Sequence, residues 1–595
     1  MKRQAACPVQ FLCLAILLWS PALRGAAGDR EAAAISAGWR FQLDIADIGE
    51  KDGWQREDFD RSRWGAIRVP MAWDLHETAL WSFEGLGWYA VEIPGSLARP
   101  GKLQRLKFGR VNYHARVWLN GELLGENANG WMPFEFNIGG KLKPGQRNHL
   151  VLRVDNRPRP EWLPGATRIE WVQYGGILGP VELETSAPSY ISDVKIVANS
   201  PRVECTVEVR SAAEKELTLR VAAGGASASA KVRAEPGRAA VVSVLLQLDG
   251  ARQWSPESPQ LYLLTAELLD QGAVVDRVQE RFGIRKIEVS GRRILLNGKP
   301  LMLRGVNRYD EYAPYGPNPP RKLVVEDLKA MKRAGVNAVR VHYPQSPELI
   351  SLYDEMGFLM IEELPINWWN LRPWGKDKPE NDILKVALEG LERMIRRDKN
   401  HPSIVIWSMA NESPTDTETG IRTMRALMQR TRELDPARLV TFVASESDLS
   451  RHKAFAEADL VATNLYAGTL GGKIARRLSE IEELVYAPSV KYLQRALEQY
   501  PDKPVVVTEF GTRGIRGVRG DAEYSEDFQA ACMRATWRAI QAVEGISGGV
   551  LWCWADYYHR RDFIQYAPFG PYGVVTVDRK PKVSLTALEE MFKGR

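Results

Sequence analysis

The sequence predicts two β-sandwich units followed by an α/β barrel, and three observations lead there. Short strand-like runs separated by Gly, Pro and Asn turns fill the chain up to about residue 284. After Arg285 the texture changes to apolar runs alternating with helical patterns, as repeated βα units require. Two of those runs stop abruptly in a carboxylate, Ile404 to Glu412 and Val505 to Glu509. β-Branched runs suit strands buried on both faces, as parallel strands are. Polar residues at their C-terminal tips fall on the mouth of a barrel, the face where barrel enzymes place their chemistry.

Length and composition agree with several globular domains. A chain of 595 residues exceeds one ordinary domain, and 45% apolar with 26% charged residues excludes a disordered or fibrous chain. The formal charge is +6, of which Lys2, Arg3 and Arg24 supply three, so the chain beyond the leader carries +3. Basic and acidic residues are interleaved, which predicts no nucleic-acid partner. The 19 Trp favour carbohydrate, since indole offers a flat apolar face to sugar rings. Residues 1–27 have the pattern of a secretory signal: Lys2 and Arg3, an apolar core from Phe11 to Trp19, then small Gly25, Ala26 and Ala27. That core is too short to span a bilayer, so a secreted or periplasmic protein with no membrane partner is expected. Beyond the leader only Cys205, Cys532 and Cys553 remain, enough for one disulfide at most.

The elements follow in order. Residues 36–187 predict a jelly-roll sandwich, with strands such as Gly87 to Ile93, Leu150 to Val154, and Ala115 to Leu119 before the hairpin turn Asn120-Gly121. Trp118 and Trp131 are expected in its core. Residues 188–284, with runs Val203 to Val209 and Leu217 to Val221, predict an immunoglobulin-like β-sandwich. Residues 285–595 predict a (β/α)8 TIM barrel. Its strands are expected at Pro300 to Gly305, Val336 to Arg340, Phe358 to Glu362, from Ile404, Leu439 to Phe442, Leu460 to Asn464, Val505 to Glu509 and Gly549 to Trp552. Helices are expected over Leu323 to Ala334 and Asn381 to Arg397.

Two carboxylates that each close a buried strand fit the two-carboxylate plan of glycoside hydrolysis. The words around them are recognisable: Asp398 to Glu412, Arg304 to Arg308, Thr508 to Gly511, Asp578 to Lys582, and outside the barrel Val111 to Gly121 and Pro133 to Phe136. Together they resemble glycoside hydrolase family 2. The resemblance implies a retaining double displacement with Glu412 as acid/base and Glu509 as nucleophile. It implies that Tyr466 steadies the nucleophile and that Asn411 bonds the sugar hydroxyl beside the anomeric carbon. Arg304, Arg340, His342 and Trp552 match positions that line the sugar site, Trp552 as its floor. One residue, Val341, separates Arg340 from His342, where the family usually has two. The segment Glu170 to Ile177 matches the loop that leans from the first domain toward the barrel mouth, which brings Glu170 or Tyr174 to the substrate. Trp368, Trp369 and Trp374 are expected to wall a subsite.

Departures from the family narrow the substrate. Its glucuronidases carry an Asn-x-Lys pair for the sugar carboxylate, and this chain has Gly570-Pro571-Tyr572 there. A neutral hexose, galactose foremost, is therefore the expected sugar of an exo-β-glycosidase. The metal-dependent galactosidases carry Glu-x-His where this chain has Asn367-Trp368-Trp369, so no metal and no other cofactor is expected. Asn307-Arg308-Tyr309-Asp310 changes a further sugar-contacting word. Two alternatives stand beside this expectation. One is a uronic acid-specific hydrolase that takes its cation from Arg513, Arg516 or Arg519. The other is a silent carbohydrate-binding protein, against which the intact Glu412 and Glu509 count. The partner in each case is a glycoside or oligosaccharide, and a homo-oligomer is left open.

Overall fold

The computed structural model describes residue 28 and residues 30–167, 169–369, 382–470, 472–560 and 569–594. The leader of residues 1–27 and Trp374 lie outside the described residues.

The first domain is a sandwich of a four-stranded and a six-stranded sheet. Along Arg147–Asp155 the pleat sends Leu150, Leu152 and Val154 inward to meet Tyr89 and Phe108. Val151 points outward and packs with Trp64, Trp88 and Trp118 under a covering loop. Trp118 stacks on Trp88 at 5.4 Å, so it fills the outer face of this sheet. Trp131 departs from expectation. It leaves the sandwich core for the seam with the barrel, where it stacks on Tyr343 at 5.6 Å. The Asn120-Gly121 turn has both φ positive (53° and 82°), the twist a two-residue hairpin needs.

The second domain pairs a three-stranded sheet with a four-stranded one, seven strands in all. Alternate residues Val203, Cys205, Val207 and Val209 are buried between the sheets. Cys205, Cys532 and Cys553 are all buried and free.

The barrel closes through eight parallel strands. They are β1 (Leu303–Asn307), β2 (Ala338–Arg340), β3 (Leu359–Glu363), β4 (Ile404–Asn411), β5 (Leu439–Ala444), β6 (Val461–Asn464), β7 (Val505–Phe510) and β8 (Ile546–Leu551). β1 begins three residues later than its apolar run suggests, because Lys299 and Pro300 pair into a small three-stranded sheet. That sheet plugs the barrel floor: its Ile287, Ile294 and Leu296 pack against Leu303, Ala338, Leu359 and Val506.

Helices cover the outside. The first two are α1 (Arg321–Arg333) and α2 (Pro347–Met356). α2 opens on Ser346, which accepts from Leu349 N, and closes on Gly357 at φ 71°. α3 (Leu384–Asp398) buries Ala387, Leu391, Met394 and Ile395, one helical stripe against the sheet. α4 (Glu418–Leu434), α5 (Ala487–Gln499), α6 (Glu526–Ala542) and α7 (Val583–Lys593) complete the outer layer.

Two of the register slips fall near the mouth, between Ser408 and Asn411 on β4 and between Thr463 and Asn464 on β6. Such bulges re-aim side chains at barrel rims, and both precede residues of the site described next. The first domain is tied to the same rim. Tyr174 OH donates to Glu311 at 2.6 Å, Arg560 pairs with Glu84, and Arg393 donates to Asn127 at 2.8 Å.

Candidate active site

Four strand tips bring the polar groups together: Arg340 on β2, Glu363 on β3, Asn411 and Glu412 at the end of β4, and Glu509 on β7. Glu509 is buried. One of its oxygens accepts from Arg340 Nη1 at 2.7 Å, and the other from Tyr466 OH at 2.8 Å. His342 Nε2 lies 3.5 Å from the first oxygen. Burial pushes the Glu509 carboxyl above its ordinary range; Arg340 and His342 oppose that rise, and the charge of Glu412 adds to it. Burial, with Glu509 beside it, holds the Tyr466 phenol well above its usual value, so Tyr466 remains a proton-bearing donor.

Glu412 has a different environment. Its two oxygens accept from Asn464 Nδ2 at 2.9 Å and Trp368 Nε1 at 3.0 Å, both neutral donors. Glu412 and Trp368 both have left-handed backbones (φ 42° and 53°), unusual for side chains of this size. Such outliers concentrate at functional sites, where surrounding structure holds them. A chain of amides joins the two carboxylates: Asn464 donates to Asn411 Oδ1 at 3.2 Å, which also accepts from Arg340 Nη2 at 2.8 Å. Asn411 Nδ2 in turn donates to Asn367 at 2.8 Å.

Three expected sugar contacts require correction. Arg340 is 0% exposed and lies beneath the site, spending its donors on Glu363, Asn307, Asn411 and Glu509. It therefore positions the carboxylates, and a sugar cannot reach it. Arg304 stands at the N-terminal end of β1, with its Nε 3.4 Å from Gly335 O at the foot of the barrel. The strand ends at Asn307, a pleat and a half further on, so the arginine is at the wrong end. Trp369 is buried, packing with Ile383 against the first domain's Gly165, and it is Trp368 that faces Glu412.

The other expected residues lie at the mouth. His342 Nδ1 is 3.0 Å from Glu363, and its ring packs against Trp171 and, at 5.1 Å, Trp552. Trp552 follows β8, edge-on to Tyr309 at 5.5 Å, with its Nε1 3.3 Å from Tyr557 OH. Glu170 reaches over from the first domain and accepts from Tyr557 OH. Tyr174 is held in the domain seam by Glu311.

Glu363 is the principal residue absent from the sequence-based list. It is fully buried and accepts from Arg340, His342 and Ser408. Burial alone would raise its carboxyl, but Arg340 and His342 outweigh it and hold Glu363 below the ordinary range. The signal was present: β3 ends in Ile361-Glu362-Glu363, the same apolar run closing in a carboxylate that marks β4 and β7.

The arginine-rich loop after β7 also resolves. Arg516 donates to Pro581 O and Arg519 pairs with Asp527, both on the exposed rim. Arg513 turns inward. It is 7% exposed, with Nε 3.1 Å from Tyr572 OH and Nη1 2.8 Å from Tyr524 OH, and Glu523 lies 3.7 Å away. Tyr572 stacks on Tyr557 at 6.2 Å, which places it on the aromatic wall that includes Trp552.

Comparison with known proteins agrees with this architecture. Residues 287–594 match the model for the TIM barrel domain of glycosyl hydrolases family 2, and residues 189–285 match a second model of that family. A β-glucuronidase of Paenibacillus borealis is 26% identical over 592 residues, covering 94% of this chain and 96% of that protein. The crystal structure of Ruminococcus gnavus β-glucuronidase superposes with a TM-score of 0.84 at 25% identity, covering 95% and 98% of the two chains. A β-galacturonidase from Eisenbergiella tayi shares the fold, with a TM-score of 0.82 at 24% identity and 95% and 97% coverage. With its barrel and second sandwich both matched, the chain belongs to glycosyl hydrolases family 2 and is a glycoside hydrolase.

Proposed function

We propose that this enzyme is a retaining exo-β-glycosidase for uronic acid glycosides, with Glu509 as nucleophile and Glu412 as acid/base. The contrast between the two carboxylates supports the roles. Glu509 receives donors on both oxygens, one from a guanidinium, and so is prepared to act as an anion. It attacks the anomeric carbon, steadied by Arg340 on one oxygen and Tyr466 on the other. Glu412, held only by neutral donors, gives its proton to the leaving oxygen and later takes one from water.

The observation that carries the sugar assignment is Arg513 behind Tyr572. The expectation of a neutral hexose rested on Gly570-Pro571-Tyr572 offering no cation. Arg513 brings one to the same wall, with Tyr572 as its hydrogen-bond acceptor and Glu523 3.7 Å away. Curated relatives spanning nearly the whole chain carry the name β-glucuronidase, which supports the same reading. A sugar carboxylate brought into a half-dry pocket needs such a partner.

A panel of nitrophenyl β-glucuronide, β-galacturonide and β-galactoside tests the assignment. The uronides are expected to be cleaved faster, and Arg513→Ala is expected to erase most of that preference. Faster galactoside cleavage by the wild type would refute it. For the acid/base, Glu412→Ala is expected to spare aryl glycosides with good leaving groups, to cripple poor ones by about 10²–10⁴-fold, and to respond to azide. Equal losses on both substrate types without azide rescue would remove Glu412 from that role.

A further inference from the structure

Arg513 lies on a segment that has just left β7, so the strand ladder no longer fixes it. Two buried side chains from elsewhere in the barrel do. Lys582 Nζ donates to Gly514 O at 2.6 Å and to Asp556 Oδ1 at 2.6 Å, and lies 3.4 Å from Pro571 O. Asp556 in turn accepts from Gly573 N at 2.8 Å. Gln529, on α6 and 0% exposed, directs its Nε2 at Thr512 O (3.1 Å), Tyr572 O (3.0 Å) and Gly573 O (3.2 Å). The backbone on both sides of Arg513 and on both sides of Tyr572 is therefore held by these groups. Gly514 N donates to Pro571 O at 2.8 Å, joining the two segments directly.

The packing leaves no slack. A Cβ on Gly514 would come within 2.4 Å of Gln529 Oε1, and one on Gly573 within 2.1 Å of Asp556 N. An ammonium suits this place because its three donors can meet acceptors from three separate segments. Burying it is costly unless a carboxylate stands opposite, and Asp556 supplies one.

We propose that Lys582 and Gln529 are positioning residues for sugar selectivity, locking Arg513 and Tyr572 into one rigid unit that receives the sugar carboxylate. Neither side chain touches the substrate. Their effect passes through the placement of the guanidinium, where a displacement of about 1 Å is costly. This inference rests on the uronide reading above.

The test compares the full-length wild type with Lys582→Met and Gln529→Leu on nitrophenyl β-glucuronide, β-galacturonide and β-galactoside. The variants are expected to lose about tenfold or more in kcat/KM on the uronides, the scale of one misplaced charge-assisted hydrogen bond. The loss is expected in KM, with galactoside turnover held within about twofold, so that the uronide-to-galactoside ratio collapses. Lys582→Arg, which keeps the charge, is expected to recover part of that ratio. Should Lys582→Met fail to fold, Gln529→Leu carries the same comparison. A wild type that prefers the uronides, with the ratio unchanged in the variants, overturns the positioning role alone. A loss equal on all three substrates overturns it as well, since that is what a merely structural clamp would give. A wild type that prefers the galactoside overturns the uronide reading itself.

Discussion

Glu509→Gln should reduce turnover of an activated uronide by roughly 10³-fold or more, the scale on which loss of a covalent nucleophile acts. The substitution preserves shape. The amide oxygen can still accept from Arg340, and the amide nitrogen can donate to the Tyr466 phenol, so the fold should survive with an unchanged circular dichroism spectrum. What disappears, on the proposed role, is the anionic oxygen that attacks the anomeric carbon. The wild-type pH profile belongs to the same argument. Burial raises the Glu509 carboxyl despite Arg340 and His342, and only its ionised form is a nucleophile. Activity should therefore fall on acidification at a pH above the ordinary glutamate range. A Gln variant that retains more than a few per cent of the wild-type rate would place the nucleophile elsewhere.

The fold was legible because its signals are local. Apolar runs marked all eight barrel strands within a few residues, and the Asn-Gly turn marked its hairpin. The error at β1 was one of partner: the apolar Pro300 to Leu303 stretch crosses the barrel floor, and its first residue pairs with the plug before the barrel strand begins. The site was legible only where chemistry sits at a strand tip. That rule singled out Glu412 and Glu509, which the structure brings to one cluster, and applied to β3 it would have singled out Glu363 as well. Direction was the harder problem. Trp368 and Trp369 are neighbours in sequence, yet one meets Glu412 and the other packs under the first domain. Composition cannot tell them apart, since the left-handed backbone at Trp368 redirects its side chain. Selectivity was the least legible feature. The cation proposed to stand in for the missing Lys lies 59 residues upstream of Tyr572, on a different strand's loop, and only closure of the barrel brings the two together.

Arg340→Met should destabilise the enzyme by about 3–5 kcal/mol at neutral pH, the cost of leaving buried carboxylates without their cation. Arg340 is wholly enclosed and bridges Glu363, also wholly enclosed, to Glu509 at 2.9 and 2.7 Å. A methionine fills much of the same volume, so the deficit measures charge more than cavity. Its pH dependence separates the two. In the wild type the depressed Glu363 carboxyl contributes stability that is present above the unfolded-state value and is lost as the pH falls through the folded one. The variant lacks that contribution, and it also bears the full burial of the Glu509 charge. The gap between variant and wild type should accordingly be widest near neutral pH and narrow on acidification, first as the raised Glu509 carboxyl protonates above the ordinary glutamate range and further as the depressed Glu363 protonates below it. Urea midpoints at pH 7 and pH 4 measure this. A deficit that is the same at both pH values would mean that Arg340 acts by packing alone, and that the two carboxylates do not share its charge.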